Sequence, residues 1–459
     1  MDIGTKLFAD VEFIDMGDLH VAVFVRFARW RIVNAAGREI LKRCAGRTVA
    51  EIISDLPPQY QYLNADGINT FLASFIEEGF VSSEKDIQPD IDDSTESEEV
   101  YRLTNVGLNL TESCNLSCIH CFIDSGPKRD RSAELSDQMV LDTVDKLLTL
   151  GTPDFFFSGG EPLLRKDLLM KVIQKLRGHS TENKIKVITN GTLLDRHVCH
   201  FFASNNIDVQ VSLDGATPAV HDQIRGKGVF RKTVRGLKML VACGANTSTC
   251  TTVMRQNIDT IIDTVNFAIS MGVGEVQTQL MIPVGKANEN IDRISIDPDI
   301  GLSVMGDAKR IAEAHDAWGY EKCSQYSIRE GRRYRPCDIG AYLYITSDGD
   351  IYPCAGMYHP SMKMGNIIKD EICEIWYKNE TLKRLRGLTV HDFKECRDCA
   401  YRYFCGGGCR GDVLLVKGNM FSANPFCKSE RRIIMKKISE DAIQSLSMNK
   451  GYDLDVRIS

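Results

Sequence analysis

The chain has 459 residues, of which 43% are hydrophobic, enough apolar material for real cores and, by length, about three domains of roughly 150 residues. Its 62 acidic and 56 basic residues leave a net charge of -6, so no overall basic field favours nucleic acid or an anionic membrane surface. No apolar run approaches the ~20 residues of a membrane span, and the first ten residues lack a charged-then-apolar signal pattern. A cytoplasmic protein with neither a nucleic-acid nor a membrane partner is expected. Sixteen cysteines in a reducing compartment point to iron-sulfur or zinc ligation rather than disulfides.

Residues 1–82 read as a small unit of strands followed by helices. Apolar alternation marks strands at Val11 to Ile14 and His20 to Val25, and helical periodicity follows over Ala35 to Cys44, Thr48 to Leu56 and Ala65 to Glu78. Phe80 and Val81 return as a short strand. From Ser82 to Val100 there are eight acidic residues, one lysine and almost no large apolar side chain, so 83–102 is expected to be a flexible acidic linker.

Beyond the linker, a strand-like run ending near Leu110 is followed by strand signals at Phe155 to Phe157, Lys184 to Thr189, Asp208 to Leu213, Asn246 to Val253 and Glu275 to Met281. Helix-length segments separate them: Leu135 to Leu150, Asp167 to Arg177, Phe230 to Ala242 and Ile258 to Met271. Six strands are too few for a closed eight-stranded barrel, so the expectation is an open, partial (β/α)6 barrel over 103–315 with its reactive edge at the strand C-termini. The chemically equipped segments fall there: Cys114, Cys118 and Cys121 in a C-x3-C-x2-C triplet, Ser158 to Pro162, Asn190-Gly191, and Ser212 to Gly215. Three thiolates on one tight loop can hold three irons of a 4Fe-4S cluster and leave the fourth open to an outside ligand. A zinc knuckle is the competing reading of the triplet, and a plain turn that of each glycine pair.

Taken together, C-x3-C-x2-C, Gly159-Gly160-Glu161-Pro162, Ile188 to Gly191, Ser212 to Gly215 and His221-Asp-x-x-Arg225 resemble the radical S-adenosylmethionine (SAM) enzymes over roughly residues 103–285. That resemblance implies SAM chelated to the open iron, reductive cleavage of its sulfonium, and a 5'-deoxyadenosyl radical that abstracts hydrogen. It also implies a cofactor-binding set of His120, Gly159, Gly160, Glu161, Asn190, Ser212, Asp214 and Arg225. In this set Gly160 and Glu161 would meet the methionyl amine, Ser212 and Arg225 the carboxylate and ribose region, and His120 would lie beside the adenine. A metal-ligand role for His120 stays open.

Farther on, Cys337, Cys354, Cys396, Cys399, Cys405, Cys409 and Cys427 resemble the seven-cysteine pattern of SPASM domains, expected over 316–440 with a tail at 441–459. The resemblance implies two auxiliary 4Fe-4S clusters, three clusters in all. Cys337, Cys354 and Cys409 would hold one, with Cys323, a substrate ligand or nothing as its fourth ligand. Cys396, Cys399, Cys405 and Cys427 would hold the other. A zinc ribbon built on Cys396, Cys399, Cys405 and Cys409 is the rival reading. Cys44, Cys199, Cys243, Cys250 and Cys373 sit in apolar contexts and are expected to be buried small hydrophobes.

The N-terminal unit resembles a PqqD-like element, a small winged-helix-like domain that binds the leader of a ribosomally made precursor peptide. An exposed strand edge at His20 to Val25 is expected to add a peptide strand, with Arg26, Arg29 and Arg31 favouring an acidic leader. The expectation is therefore an α/β peptide maturase that forms an oxidative cross-link, with a thioether favoured over a carbon-carbon or carbon-oxygen bond. Quinone-cofactor or mycofactocin-type maturation, sulfatase maturation and a non-catalytic electron carrier or peptide scaffold are the alternatives. An electron donor such as flavodoxin or ferredoxin is implied. Ala355 stands where sulfatase-maturating enzymes carry an acidic base. No catalytic base is identified, Glu275, Glu289 and Asp338 being conceivable only by position.

Overall fold

A computed structural model describes residues 5–83, 102–151, 153–318, 335–337, 339–399 and 401–447. Most of the acidic linker, Cys323, Asp338, the tail from 448 and the side chain of Arg26 lie outside the described residues.

The N-terminal unit contains β1 (Lys6–Ala9), β2 (Glu12–Met16), β3 (Leu19–Phe24), β4 (Arg29–Asn34), α1 (Ala35–Arg43), β5 (Ala45–Thr48), α2 (Val49–Ser54), α3 (Ala65–Glu77) and β6 (Val81–Ser82). Its helices start where the sequence supplies caps. The Asn34 side chain accepts from Gly37 N at 2.8 Å, Asn64 accepts from Gly67 N at 2.8 Å, and Thr48 with Glu51 forms a capping box. Two antiparallel sheets result, β2-β3-β4 and β5-β1-β6. The core between sheet and helices is aromatic, with Phe24 stacked on Phe80 at 4.5 Å and tilted against Phe75 at 5.6 Å.

One expectation is corrected here. The run His20 to Val25 is not an exposed edge, because β3 pairs with β2 on one side and β4 on the other. Both of its faces are buried. Ala22 and Phe24 enter the N-terminal core, while Val21, Val23 and Val25 pack on Tyr401, Phe404, Ile434, Ile438 and Ala442 from the far end of the chain. A continuous apolar run is the signature of a strand covered on both faces, and that signal outweighs the reading as an edge. Arg31 is engaged as well, paired with Glu78 and lying over Phe80.

The central domain alternates β7 (Asn105–Thr111), α4 (Asp137–Leu148), β8 (Asp154–Gly159), α5 (Lys166–His179), β9 (Ile185–Thr189), α6 (Arg196–Ser204), β10 (Asp208–Ser212), α7 (Pro218–Arg225), α8 (Val229–Ala242), β11 (Asn246–Val253), α9 (Ile261–Ser270) and β12 (Glu275–Leu280). The six strands pair in parallel in chain order, giving the open partial barrel. Val106, Leu108, Leu110, Phe155, Phe157, Ile185, Val187, Val209 and Val211 are all buried against the helices. The alternate positions, among them Ile188, Gln210, Ser212, Cys250, Thr252, Gln277 and Gln279, line the interior.

The C-terminal part extends this sheet. Strand β13 (Tyr342–Ile345) pairs in parallel with β7, Tyr342 opposite Asn105, and β14 (Asp350–Tyr352) and β15 (Gly365–Asn366) continue antiparallel. The sheet therefore has nine strands, in the order β12-β11-β10-β9-β8-β7-β13-β14-β15. One other expectation also changes: Cys373 is exposed and Cys243 only partly buried, whereas Cys44, Cys199 and Cys250 are buried. Glu275 opens β12 at the rim opposite the Cys114 loop, exposed and lining that end of the barrel interior, and Glu289 is exposed.

Candidate active site

The C-terminal edge of the barrel carries the Cys114 loop. Its backbone folds back on itself through Cys114 N to Gly126 O at 3.3 Å, and amide groups point at two sulfurs, Leu116 N to Cys114 Sγ at 3.4 Å and Ser125 N to Cys121 Sγ at 3.2 Å. Lys286 N donates to Cys121 O at 3.0 Å and the Asn290 side chain to Ile119 O at 3.1 Å, so the segment after β12 clamps the loop from outside. Burial pushes the free Cys114 thiol up to about 12 and raises Cys118 as well. A bound metal would ionise these thiols.

The Gly159-Gly160 pair lets β8 lie against that loop. Gly160 N donates to Thr111 O and Glu161 N to Ser113 O, each at 2.9 Å, and a Cβ on Gly160 would stand 1.9 Å from Ser113 O. Glu161 is fully buried, and its carboxylate accepts from Thr189 Oγ1 at 2.7 Å, Asn190 N at 2.8 Å and Leu163 N at 3.1 Å. It ties the end of β9 to the end of β8, and Gly159 and Gly160, rather than its carboxylate, line the cavity. Asn190 donates to Asn115 Oδ1 at 2.9 Å and lies 3.8 Å from Cys114 Sγ.

Across the mouth, Asp214 is fully buried and accepts from Arg225 Nε at 2.6 Å and Thr252 N at 2.9 Å. Burial alone would raise its carboxyl, but the Arg225 guanidinium holds it below the ordinary carboxylate range. Arg225 in turn reaches within 4.0 Å of Cys118 Sγ. His120 lies 3.8 Å from Asp214, and burial pushes its imidazole down to about 4, so it is neutral at physiological pH. Its Nδ1 is buried without a hydrogen-bond partner, and its ring lines the cavity.

That cavity measures about 840 Å³, inside the roughly 300–1,000 Å³ range of small-molecule sites. It is lined by Cys114, Cys118, His120, Cys121, Gly159, Gly160, Asn190, Ser212 and Arg225. Of the SAM-binding set expected from sequence, only Glu161 and Asp214 lie behind its wall. Sequence reasoning missed Cys250, Thr252, Gln277, Gln279, Asp412 and Phe426. For the four strand residues the signal was present: small or polar side chains repeating every second position in otherwise buried strands mark a wet interior.

The seven cysteines of the C-terminal pattern gather in two places. Cys354 Sγ and Cys409 Sγ both fall within 4 Å of where a Gly356 Cβ would stand, at 3.8 and 3.9 Å, and the charges of Cys354 and Cys337 act on Cys409. Separately, Cys396 and Cys399 act on both Cys405 and Cys427. Ala355 and Gly356 line the cavity, so the first group faces the same space as the Cys114 loop. Asp412, 2% exposed, lines that side too.

The parallel strands with the cysteine loop at their C-terminal edge have the fold of a radical SAM domain, followed by a C-terminal SPASM-type domain that carries the two further cysteine groups. Residues 108–268 match the radical SAM superfamily and 337–400 the SPASM iron-sulfur cluster-binding domain. The chain is 26% identical over 343 residues to the AdoMet-dependent heme synthase of Methanosarcina barkeri, covering 70% of this chain and 95% of the relative. It is 28% identical over 330 residues to the PqqA peptide cyclase of Streptomyces rochei, covering 70% and 88%. The fold is shared with native anSMEcpe with bound AdoMet, at a TM-score of 0.60, 19% identity and coverage of 75% and 100%. It is also shared with Streptococcus suis SuiB bound to precursor peptide SuiA, at 0.57, 14% identity and coverage of 90% and 99%. The SuiB match must include part of the N-terminal unit, because residues 84–459 alone make up about four-fifths of this chain. No described helix is long and apolar enough to cross a membrane.

Proposed function

We propose that this chain is a peptide maturase whose N-terminal unit holds the leader of a ribosomally made precursor while its core segment enters the barrel, and that the product is an oxidative cross-link, a thioether in first place. What supports this reading is the N-terminal unit itself, a sheet-and-helix body packed through β3 on Tyr401, Phe404, Ile434 and Ile438 of the C-terminal part. Among the described strands the unit's sheet has β4 at one edge, paired with β3, a geometry suited to peptide strand addition. A leader held there raises the local concentration of the core peptide at the barrel.

The residues present fit SAM on a 4Fe-4S cluster: three cysteines on one loop, the bare backbone of Gly159-Gly160, and the partnerless buried Nδ1 of His120 beside the cavity. When bound, that pair would supply the radical that abstracts a peptide hydrogen. The protein's part is placement. Arg225, fixed by Asp214, offers a cationic fork toward a carboxylate. Neutral His120 offers a flat ring for a purine, and Glu161 locks the strand ends so that Asn190 and Gly160 keep their spacing. Auxiliary clusters on the two further cysteine groups would accept the electron released when the new bond forms, and a flavodoxin or ferredoxin would donate an electron to the cluster on the Cys114 loop.

Ala355 favours this reading over sulfatase maturation, because the cavity wall at that position carries a methyl group and no carboxylate. The test is anaerobic reconstitution with iron and sulfide, then reaction with SAM, reductant and the short peptide encoded beside the gene. The expected product has lost two hydrogens per modification, with 5'-deoxyadenosine formed alongside. An unmodified peptide mass in the presence of 5'-deoxyadenosine refutes cross-linking.

A further inference from the structure

Arg410 follows Cys409 and opens α10 (Arg410–Lys417). Its side chain is completely buried. The guanidinium donates only to backbone carbonyls: Nη1 to Met420 O and Ser422 O, each at 3.0 Å, Nε to Gly408 O at 3.5 Å, and Nη2 to Gly407 O. It lies 4.1 Å from the centroid of Phe393. The backbone around it ties it to both cysteine groups: it directly follows Cys409, and Gly407, whose carbonyl takes its Nη2, donates its own amide to Cys405 Sγ at 3.3 Å.

A cation taken fully out of water costs several kcal/mol unless an anion offsets it, and carbonyl dipoles with one ring face do so only in part. Neutral thiols would not complete the compensation. Iron-bound thiolates would, and the neighbouring cysteines belong to both groups, Cys409 to the first and Cys405 to the second. Cluster potentials respond to nearby net charge and burial. A fixed positive charge favours the more negative, reduced form of any cluster beside it.

We propose that Arg410 is a counter-charge shared by the two auxiliary clusters, raising the reduction potential of both so that each can take up an electron. This inference rests on the cysteine groups holding iron-sulfur clusters, as in the function proposed above. Arg410 does not line the cavity, so its role is electrostatic positioning of the redox equilibrium rather than contact with substrate.

The experiment uses the full chain, reconstituted anaerobically, with potentials read by electron paramagnetic resonance during a redox titration. Iron content comes first: wild-type protein with iron for the Cys114 site alone overturns the cluster assignment itself, separately from any effect of Arg410. With all clusters present, R410Q is expected to lose tenfold or more in the one-electron reduction equilibrium of the auxiliary clusters, about 59 mV, while the cluster on the Cys114 loop keeps its potential. R410Q with unchanged auxiliary potentials overturns the proposal. If R410Q fails to assemble the auxiliary clusters, R410K decides. Lysine keeps the charge but loses the planar fork, so near-wild-type potentials in R410K support the counter-charge. Failure of R410K as well means that the carbonyl cage, not the charge, is what the site requires, and the proposal falls.

Discussion

Replacing Asp214 by Asn removes a charge while keeping an oxygen for Thr252 N, and so isolates the role of the buried pair with Arg225. Asp214 is fully buried and the Arg225 side chain is 9% exposed. Removing one partner of such a pair leaves the other charge in the interior, at a cost of roughly 3–5 kcal/mol. For a domain of the barrel's size each kcal/mol moves the melting point by about 2–4 °C, so a drop of roughly 6–20 °C is expected in the iron-free protein. A loaded cluster changes this, because Cys118 Sγ, 4.0 Å from Arg225 Nη1, would then be a thiolate and a substitute anion. The drop should therefore be smaller after reconstitution. Anaerobic calorimetry on both forms measures it, and the D214N/R225Q double variant should lose less than the two single losses added. An iron-free D214N protein melting within about 2 °C of wild type refutes the assignment of a buried, mutually dependent pair.

Gly160→Ala would drive a methyl group into Ser113 O, so it should abolish cluster loading on the Cys114 loop, read as lost iron and lost visible absorbance in otherwise folded protein. His221 is buried, and burial pushes its imidazole down to about 4 from 6.5. The unfolded chain then binds more protons, and stability falls as pH drops from about 6.5 toward 4. His221→Asn keeps an acceptor for Asp214 N, and should flatten the decline in melting temperature between neutral pH and pH 5.5. Cys354→Ser and Cys427→Ser should each perturb a different auxiliary cluster, leaving distinct residual resonance signals. Loss of the same signal in both would mean that the two cysteine groups are not separate.

The barrel was legible in the sequence because each parallel strand is short, apolar on its helix side and followed by a helix with its own periodicity. Asn246 to Val253 was read to the residue, and the cysteine loop fell after the right strand. Pairings between distant segments were not legible. Lys6–Ala9 and Ala45–Thr48 are four-residue strands with no strong alternation, and nothing local tells Tyr342–Ile345 to lie beside Asn105, since strand partners are chosen by tertiary packing. The misreading of β3 has another cause: its partners β2 and β4 are its neighbours in sequence, and its continuous apolar run marked a strand covered on both faces, though the residues on the second face lie near the other end of the chain. Arg410 was invisible for a related reason. Only burial, which spacing does not reveal, distinguishes it from the many arginines at the surface.

The pairing of β13 with β7 makes the two iron-sulfur regions inseparable as folding units. Cutting the chain before Tyr342 would strip β7 of its ladder on that side and uncover a row of backbone donors and acceptors beside Val106 and Leu108, an edge of the kind that recruits other chains and precipitates. A barrel expressed alone should aggregate even though each of its own βα units is intact. Nature cannot readily shuffle this barrel away from its C-terminal half, because the seam between them is a hydrogen-bonded sheet rather than a linker.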